Sequence, residues 1–108
     1  MPTNRRFRVK QRRPNLELLT STQRQQTAAE LQANFELSGL STGDLRQITG
    51  WTQSRVAASL TMAGADPADV WQLRDLLDSE VRSNGRTPVP FSVLTEQARS
   101  AARAWFDI

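Results

Sequence analysis

Six basic side chains fall within nine positions near the start of the chain, and residues 1–16 contain no acid. They are Arg5, Arg6, Arg8, Lys10, Arg12 and Arg13. Like charges this close repel one another unless a polyanion neutralises them, so the chemistry that they suit is binding of nucleic-acid phosphates. The alternative interpretation is a solvated tail that binds nothing specific. The segment 1–15 has no helical period and contains two prolines, which favours a flexible basic arm.

A second set of polar side chains lies where a DNA-reading helix and its neighbours would carry them. Arginine can pair with guanine and glutamine with adenine, while small polar groups hold phosphates. The candidates are Arg46, Thr52, Gln53, Ser54, Arg55 and Ser59. The alternative is that these are ordinary solvated residues; Arg46 could reach a phosphate or simply lie on the surface.

The composition gives little support to catalysis, metal binding or disulfide formation. The chain contains no His, no Cys and no Tyr. It therefore lacks the usual base near neutral pH, the commonest nitrogen ligand for metals and every thiolate. The acidic pairs Asp66/Asp69 and Asp75/Asp78 are explained by helix capping and a solvated helix face. We expect neither an enzyme nor a bound cofactor or metal.

The stretch 41–63 predicts two short helices joined by a glycine turn. Ser41 can cap the first helix, with Asp44 three residues further on to complete a capping box. Gly50 follows the last apolar turn, where a left-handed residue ends a helix at low cost. Thr52 then caps a second helix, predicted over 53–63. Two helices joined in this way follow the helix-turn-helix plan.

Apolar spacing predicts which faces of this helix pair are buried. In the first helix, Leu45 and Ile48 share one face. In the second helix, Val56, Ala57 and Leu60 fall at positions i, i+1 and i+4.

Three further helices are predicted around the pair. The first runs over 21–38, with capping groups at 20–23, an apolar stripe and a left-handed Gly39; the stripe consists of Ala28, Leu31 and Phe35. Another begins after the N-cap Asp66 with Pro67 in its first position and runs to about residue 83. Its apolar stripe consists of Val70, Leu73, Leu77 and Val81, broadened by Trp71 and Leu76.

The last part of the chain predicts an extended connector followed by a fifth helix. Two prolines in 87–91 exclude a helix there, and the fifth helix begins at Ser92 or Thr95. Trp105, Phe106 and Ile108 form an apolar end that we expect to pack on the body or on a second subunit. The fold class predicted is therefore all-α, with about five helices in a single domain over 16–108 and a disordered basic arm over 1–15.

From Leu31 onward the chain resembles a small bacterial family of uncharacterised proteins, the domain-of-unknown-function family numbered 2316. The residues that carry the resemblance are Asn34-Phe35-Glu36-Leu37-Ser38-Gly39-Leu40, Asp69-Val70-Trp71-Gln72-Leu73-Arg74-Asp75, Pro88-Val89-Pro90-Phe91 and Trp105-Phe106. The resemblance implies a helical domain with a repressor-like helix pair, and it implies no function. Compared with phage repressors, Arg46 replaces the usual small residue after the aliphatic position, Thr49 replaces an aliphatic residue, and Trp51 fills the apolar slot after the glycine.

These observations predict a small cytoplasmic DNA-binding protein that regulates transcription. The basic arm would lie on the phosphate backbone or in the minor groove, and the helix over 53–63 would lie in the major groove. Strong binding would require a homodimer, for which the apolar C-terminal segment is the candidate interface. The alternative function is a protein-interaction module that keeps the helix pair only as structure. A third possibility is nonspecific RNA or DNA binding by the arm alone. No apolar run is long enough for a membrane span, so no membrane association is expected.

Overall fold

The structure of the chain, a computed structural model, describes residues 20–99. Its helices are α1 (Ser21–Ser38), α2 (Thr42–Thr49), α3 (Gln53–Thr61), α4 (Pro67–Ser83) and α5, which is helical over 96–99. No strand occurs in these residues, so the predicted all-α class with five helices is confirmed. None of the described helices combines the length and the hydropathy that a bilayer-spanning segment needs. The predicted basic arm lies outside the described residues.

Local capping groups begin the helices at the predicted positions. Thr20 and Gln23 form a capping box for α1, and Ser41 and Asp44 form another for α2. In each box the N-cap hydroxyl accepts a hydrogen bond from the backbone N–H three residues later, and the later side chain accepts one in return. Asp66 caps α4 by accepting a hydrogen bond from the backbone N–H two residues on.

Helix α3 ends earlier than the sequence predicts. The prediction extends it to residue 63, but the last helical residue is Thr61 and Met62 adopts a left-handed conformation with φ 63°. That conformation is unfavourable for a residue with a Cβ. It is offset here because the Met62 side chain is 4% exposed and packs in the hydrophobic core.

The buried face of α1 is more polar than the sequence predicts. The fully buried positions are Thr27, Leu31, Asn34 and Ser38, whereas Phe35 is only half-buried. Each of the three polar side chains hydrogen-bonds a backbone carbonyl, which removes most of the penalty of burying it. The predicted stripe of Ala28, Leu31 and Phe35 does face the core, because Leu31 is fully buried and both Ala28 and Phe35 are partly buried against it.

Helix α4 packs against α1 and α3 through the predicted stripe. The side chains of Val70, Leu73, Leu77 and Val81 have no solvent exposure. Trp71, predicted to broaden this stripe, is 5% exposed and belongs to the core. Trp105 lies outside the described residues.

The connector between α4 and α5 is held against α1 by side chains. The Asn84 amide donates to the carbonyl of Ser38, at the C-terminal end of α1, and Glu30 accepts two hydrogen bonds from Ser92. Asn34 binds the backbone of the connector between these two points. Pro88, Phe91 and Leu94 are consequently buried, and α5 begins after Thr95 rather than Ser92.

The start of α5 is fastened to α4 by an ion-pair network on an aromatic ring. Asp75 accepts hydrogen bonds from Arg74 and Arg99, and Arg99 also donates to Glu96. The Arg99 guanidinium lies 5.0 Å from the centroid of the Trp71 ring, within the range of a cation–π contact.

Candidate nucleic-acid interface

The turn between α2 and α3 is closed by backbone and side-chain hydrogen bonds. Gly50 has φ 76°, and its N–H donates to the carbonyl of Arg46 at 2.8 Å. The Thr49 hydroxyl donates to the carbonyl of Leu45 and accepts the N–H of Trp51. Thr49, where phage repressors carry an aliphatic residue, therefore stabilises the turn through its hydroxyl.

The first helix of the pair buries one residue and exposes the rest. Leu45 has no solvent exposure, whereas Ile48 is 55% exposed, so the predicted shared buried face of α2 is wrong at Ile48. An eight-residue helix makes only about two turns, and little of it can face the body. Arg46 is also exposed, and it borders a shallow concavity of about 550 Å³. The lining residues are Ser41, Gly43, Asp44, Arg46, Gln47, Gly50 and Trp51.

The second helix separates cleanly into a buried and a solvent-facing side. Val56, Ser59 and Leu60 are buried, whereas Gln53 and Ser54 are exposed in the first turn. The N-cap Thr52 is also exposed, and its hydroxyl accepts the N–H of Arg55 at 3.2 Å. Ala57, predicted to face inwards, is exposed, because it lies about 100° around the helix from Val56.

Ser59 must be removed from the set of DNA-contacting candidates. Ser59 is 1% exposed, and its hydroxyl lies among the packed helices rather than on the outer face of α3. The position is three residues after Val56 and one before Leu60, and both of these face the core. A serine at this position packs as a small core residue, which the polar character of its side chain concealed in the sequence.

Arg55 is held by two neighbouring residues. Its Nε and Nη2 donate to the two carboxylate oxygens of Asp69, at 2.7 and 2.9 Å. Its guanidinium also lies over the Trp51 ring, 4.6 Å from the centroid. The hydrogen bond to Asp69 raises the pKa of Arg55 above its usual value, so the guanidinium stays charged. Both contacts leave the side chain 51% exposed at the edge of α3.

The folded body supplies little positive charge around these candidates. The segment 20–99 carries seven arginines and nine carboxylates, a net charge of −2. Asp69 neutralises Arg55 at short range, and Arg46 is the cation of the helix pair that makes no ion pair within the described residues. The described body therefore offers no net attraction to phosphates, and the six candidate side chains of the basic arm lie outside those residues.

Sequence reasoning missed the two residues that orient Arg55. In the sequence, Asp69 is an acidic residue of the first turn of α4, and Trp51 is an apolar residue typical of a core. Asp69 follows Arg55 by 14 positions, and this separation gives no periodic signal that would join the two residues. Only the packing of α3 on α4 brings them together.

Residues 18–107 match the bacterial family described as "Uncharacterized protein conserved in bacteria (DUF2316)". The chain belongs to this family. The resemblance drawn from the sequence is thus confirmed for nearly the whole length. No curated protein and no solved structure gives a significant match to the chain. The description of the DUF2316 family assigns no activity, so a functional proposal depends on the geometry described above.

Several residues that carry the resemblance to the DUF2316 family also make the contacts that define the fold. Asn34 binds the connector at Val89, and Asp69 binds Arg55. Arg74 and Asp75 belong to the network that fastens α5. The helix-turn-helix interpretation of α2 and α3, which the family match does not address, stays a prediction.

Proposed function

We propose that this DUF2316 chain is a DNA-binding protein that regulates transcription by placing α3 in the major groove. The proposal is supported by the side chains of the first turn of α3. Gln53 and Ser54 are exposed there, while the opposite side of the helix is packed in the core. A helix whose orientation is fixed by packing can present hydrogen-bonding groups to base edges in a defined register.

The observation that carries the proposal is the constrained, half-exposed Arg55. An arginine side chain has five N–H donors. Two of those of Arg55 bind Asp69, so three remain on the outer edge of the guanidinium, which faces solvent. An ion pair that left no donors free would be a structural contact alone. This one leaves a planar fork suited to a phosphate group.

The basic arm supplies the attraction that the body lacks. If about four of its six cations meet phosphates, counterion release gives a logarithmic salt slope of about −3.5. Binding at one helix and one arm is weak, and a homodimer would double both. We place the dimer contact in the apolar C-terminal segment; two copies of α3 about 34 Å apart would match successive major grooves.

Fluorescence-anisotropy titration of a random-sequence duplex tests the proposal at two salt concentrations. The full chain is compared with a full-length variant in which the six basic arm residues are glutamine, and with the double variant Gln53→Ala, Ser54→Ala. The exposed Gln72→Ala on α4 is the matched control. We expect the arm variant to lose most of the salt dependence, the α3 variant to bind more weakly at both salts, and the control to bind as the parent does. No binding by the parent at low salt would reject the function.

A protein-interaction module is the second candidate, favoured by Ile48. This is the large hydrophobic side chain that the described part of the chain exposes most, at 55% on α2. The net negative charge of 20–99 also disfavours contact with a polyanion. Failure of every form to bind duplex, together with capture of a protein partner that Ile48→Ser abolishes, would favour this alternative.

A further inference from the structure

We infer that Asp69 is a positioning residue for DNA contact, which orders the Arg55 guanidinium across Trp51 so that its outer edge meets a backbone phosphate. The inference rests on the proposed function, because it assigns a ligand to the free edge of Arg55. It adds a residue of α4, outside the helix pair, to the nucleic-acid interface.

The geometry fixes the guanidinium from two sides. The two hydrogen bonds to Asp69 are parallel and both short, at 2.7 and 2.9 Å, and the Asp69 side chain is only 10% exposed. Trp51, whose ring packs against the face of the guanidinium, is 6% exposed. Because both supports belong to the packed body, the rotamer freedom of a long side chain is already lost before any ligand arrives.

The position of Arg55 on α3 favours a phosphate over a base edge. At 100° per residue, Ser54, Ala57 and Thr61 lie in the central part of the exposed sector of the helix. Arg55 lies about 40° from the buried Ser59, at the margin of that sector beside α4. When a helix enters the major groove, its central residues reach bases and its marginal residues meet the backbone.

Asp69 would act in two opposite ways on DNA, and the difference makes the inference testable. Its negative charge weakens the attraction of the body for phosphates, so removal of the charge alone strengthens binding. Its hydrogen bonds order the donor fork, so their removal weakens binding. The inference states that the second effect is larger. If Asp69 only neutralised Arg55, removal of its carboxylate would strengthen DNA binding instead of weakening it.

The experiment compares Asp69→Asn with Asp66→Asn in the full chain, by anisotropy titration of a random-sequence duplex over a range of salt. Both substitutions remove one negative charge near Arg55, but Asp66 caps α4 without binding the guanidinium, and asparagine caps equally well. We expect Asp69→Asn to raise Kd by about fivefold despite the added positive charge. We expect Asp66→Asn to leave the Kd unchanged or to lower it. A lower Kd for both variants would overturn the inference while leaving the DNA-binding function intact.

Arg55→Lys provides a second measurement should Asp69→Asn fold poorly. Lysine keeps the charge and loses the fork, so a similar rise in Kd is expected with an unchanged salt slope. A parent-like Kd in this variant would contradict the inference. The Nε–H NMR signal of Arg55 is expected to exchange slowly with water in the parent chain and rapidly in Asp69→Asn. A parent chain that shows this slow signal and binds no duplex would reject the proposed function, and the assigned phosphate with it, while retaining the ion pair.

Discussion

Two hydrogen bonds join the side-chain amide of Asn34 to the backbone of Val89, 55 residues further along the chain. The Val89 N–H donates to Oδ1 at 2.8 Å, and Nδ2 donates to the Val89 carbonyl at 3.0 Å. Pro88 and Pro90 have no N–H, so Val89 is the donor that the segment 88–90 offers. The amide therefore pairs with the connector as a neighbouring strand would, from the interior of a helix.

Replacement of Asn34 by alanine is expected to lower the free energy of unfolding by about 3 kcal/mol, because two backbone groups of Val89 lose their partners in a buried site. Asn34 has no solvent exposure, so water cannot replace the amide without entering the core. Urea unfolding followed by circular dichroism measures the change. Gln32→Ala, at an exposed position of the same helix, serves as the control and should change stability by less than about 0.5 kcal/mol. A loss below about 1 kcal/mol in Asn34→Ala would contradict this account.

The same substitution is expected to have opposite effects at two glycines of the helix pair. Gly50 has a left-handed φ of 76°, so Gly50→Ala should destabilise the fold by about 1 kcal/mol. Gly43 lies within α2, and an added Cβ would meet only the Ser41 hydroxyl, at 3.6 Å. Gly43→Ala should therefore stabilise the fold by about 0.5 to 1 kcal/mol.

Thermal and urea unfolding of both variants under identical conditions check this pair of signs. A destabilising Gly43→Ala would show that the backbone there is constrained by more than helix geometry. Gly43 borders the concavity beside Arg46, so Gly43→Ala also tests function. Weaker duplex binding by the more stable variant would indicate that the nucleic acid lies against this concavity.

Most helix ends could be predicted from the sequence because the groups that set them are local, and the end of α3 is the exception. The capping boxes at Thr20 and Ser41 join residues three apart, and the turn at Gly50 depends on one backbone conformation. Buried faces were less predictable. Asn34 enters the core because its partner is a distant backbone segment, and Ile48 stays outside because α2 is short. Hydropathy alone assigns both residues to the wrong side.

In the candidate site, too, local features could be predicted from the sequence and long-range contacts could not. The exposure of Gln53 and Ser54 agrees with their place in the first turn of a capped amphipathic helix. The pairing of Arg55 with Asp69 depends on how α3 lies on α4, which no local pattern specifies. Ser59 was assigned to the interface because its side chain is polar, although its helical position lies among core residues.

Ser59→Ala is expected to stabilise the protein by about 1 kcal/mol, because the buried hydroxyl has no hydrogen-bond partner within 20–99. The contrasting variant is Thr27→Val, which removes a buried hydroxyl that donates to the carbonyl of Gln23 at 2.8 Å and should lower stability. Differential scanning calorimetry of the two variants gives the comparison. A lower melting temperature for Ser59→Ala would contradict this account, because it would show that the Ser59 hydroxyl does have a hydrogen-bond partner.

Acid is expected to weaken the attachment of α5 to α4 through Asp75. Partial burial acts to raise the pKa of Asp75, but hydrogen bonds from Arg99 and Arg74 outweigh it and lower the pKa below the ordinary 3.8. Hydrogen bonding to Arg99 likewise lowers the pKa of Glu96 below 4.5. The same contacts raise the pKa of Arg99, which stays charged throughout.

A lowered carboxyl pKa in the folded state means that the unfolded chain binds protons more readily, so the stabilisation is complete above the ordinary pKa values and is lost as pH falls through the folded-state values. Unfolding free energies from urea titrations should therefore fall between about pH 5 and pH 2. Asp75→Asn, which has no proton to gain, should be less stable than the parent at pH 7 and lose less over that interval. Since Arg99 lies over Trp71, the fluorescence of Trp71 should change over the same pH range in the parent protein. Parallel curves for the two proteins would exclude Asp75 as the source of the acid sensitivity.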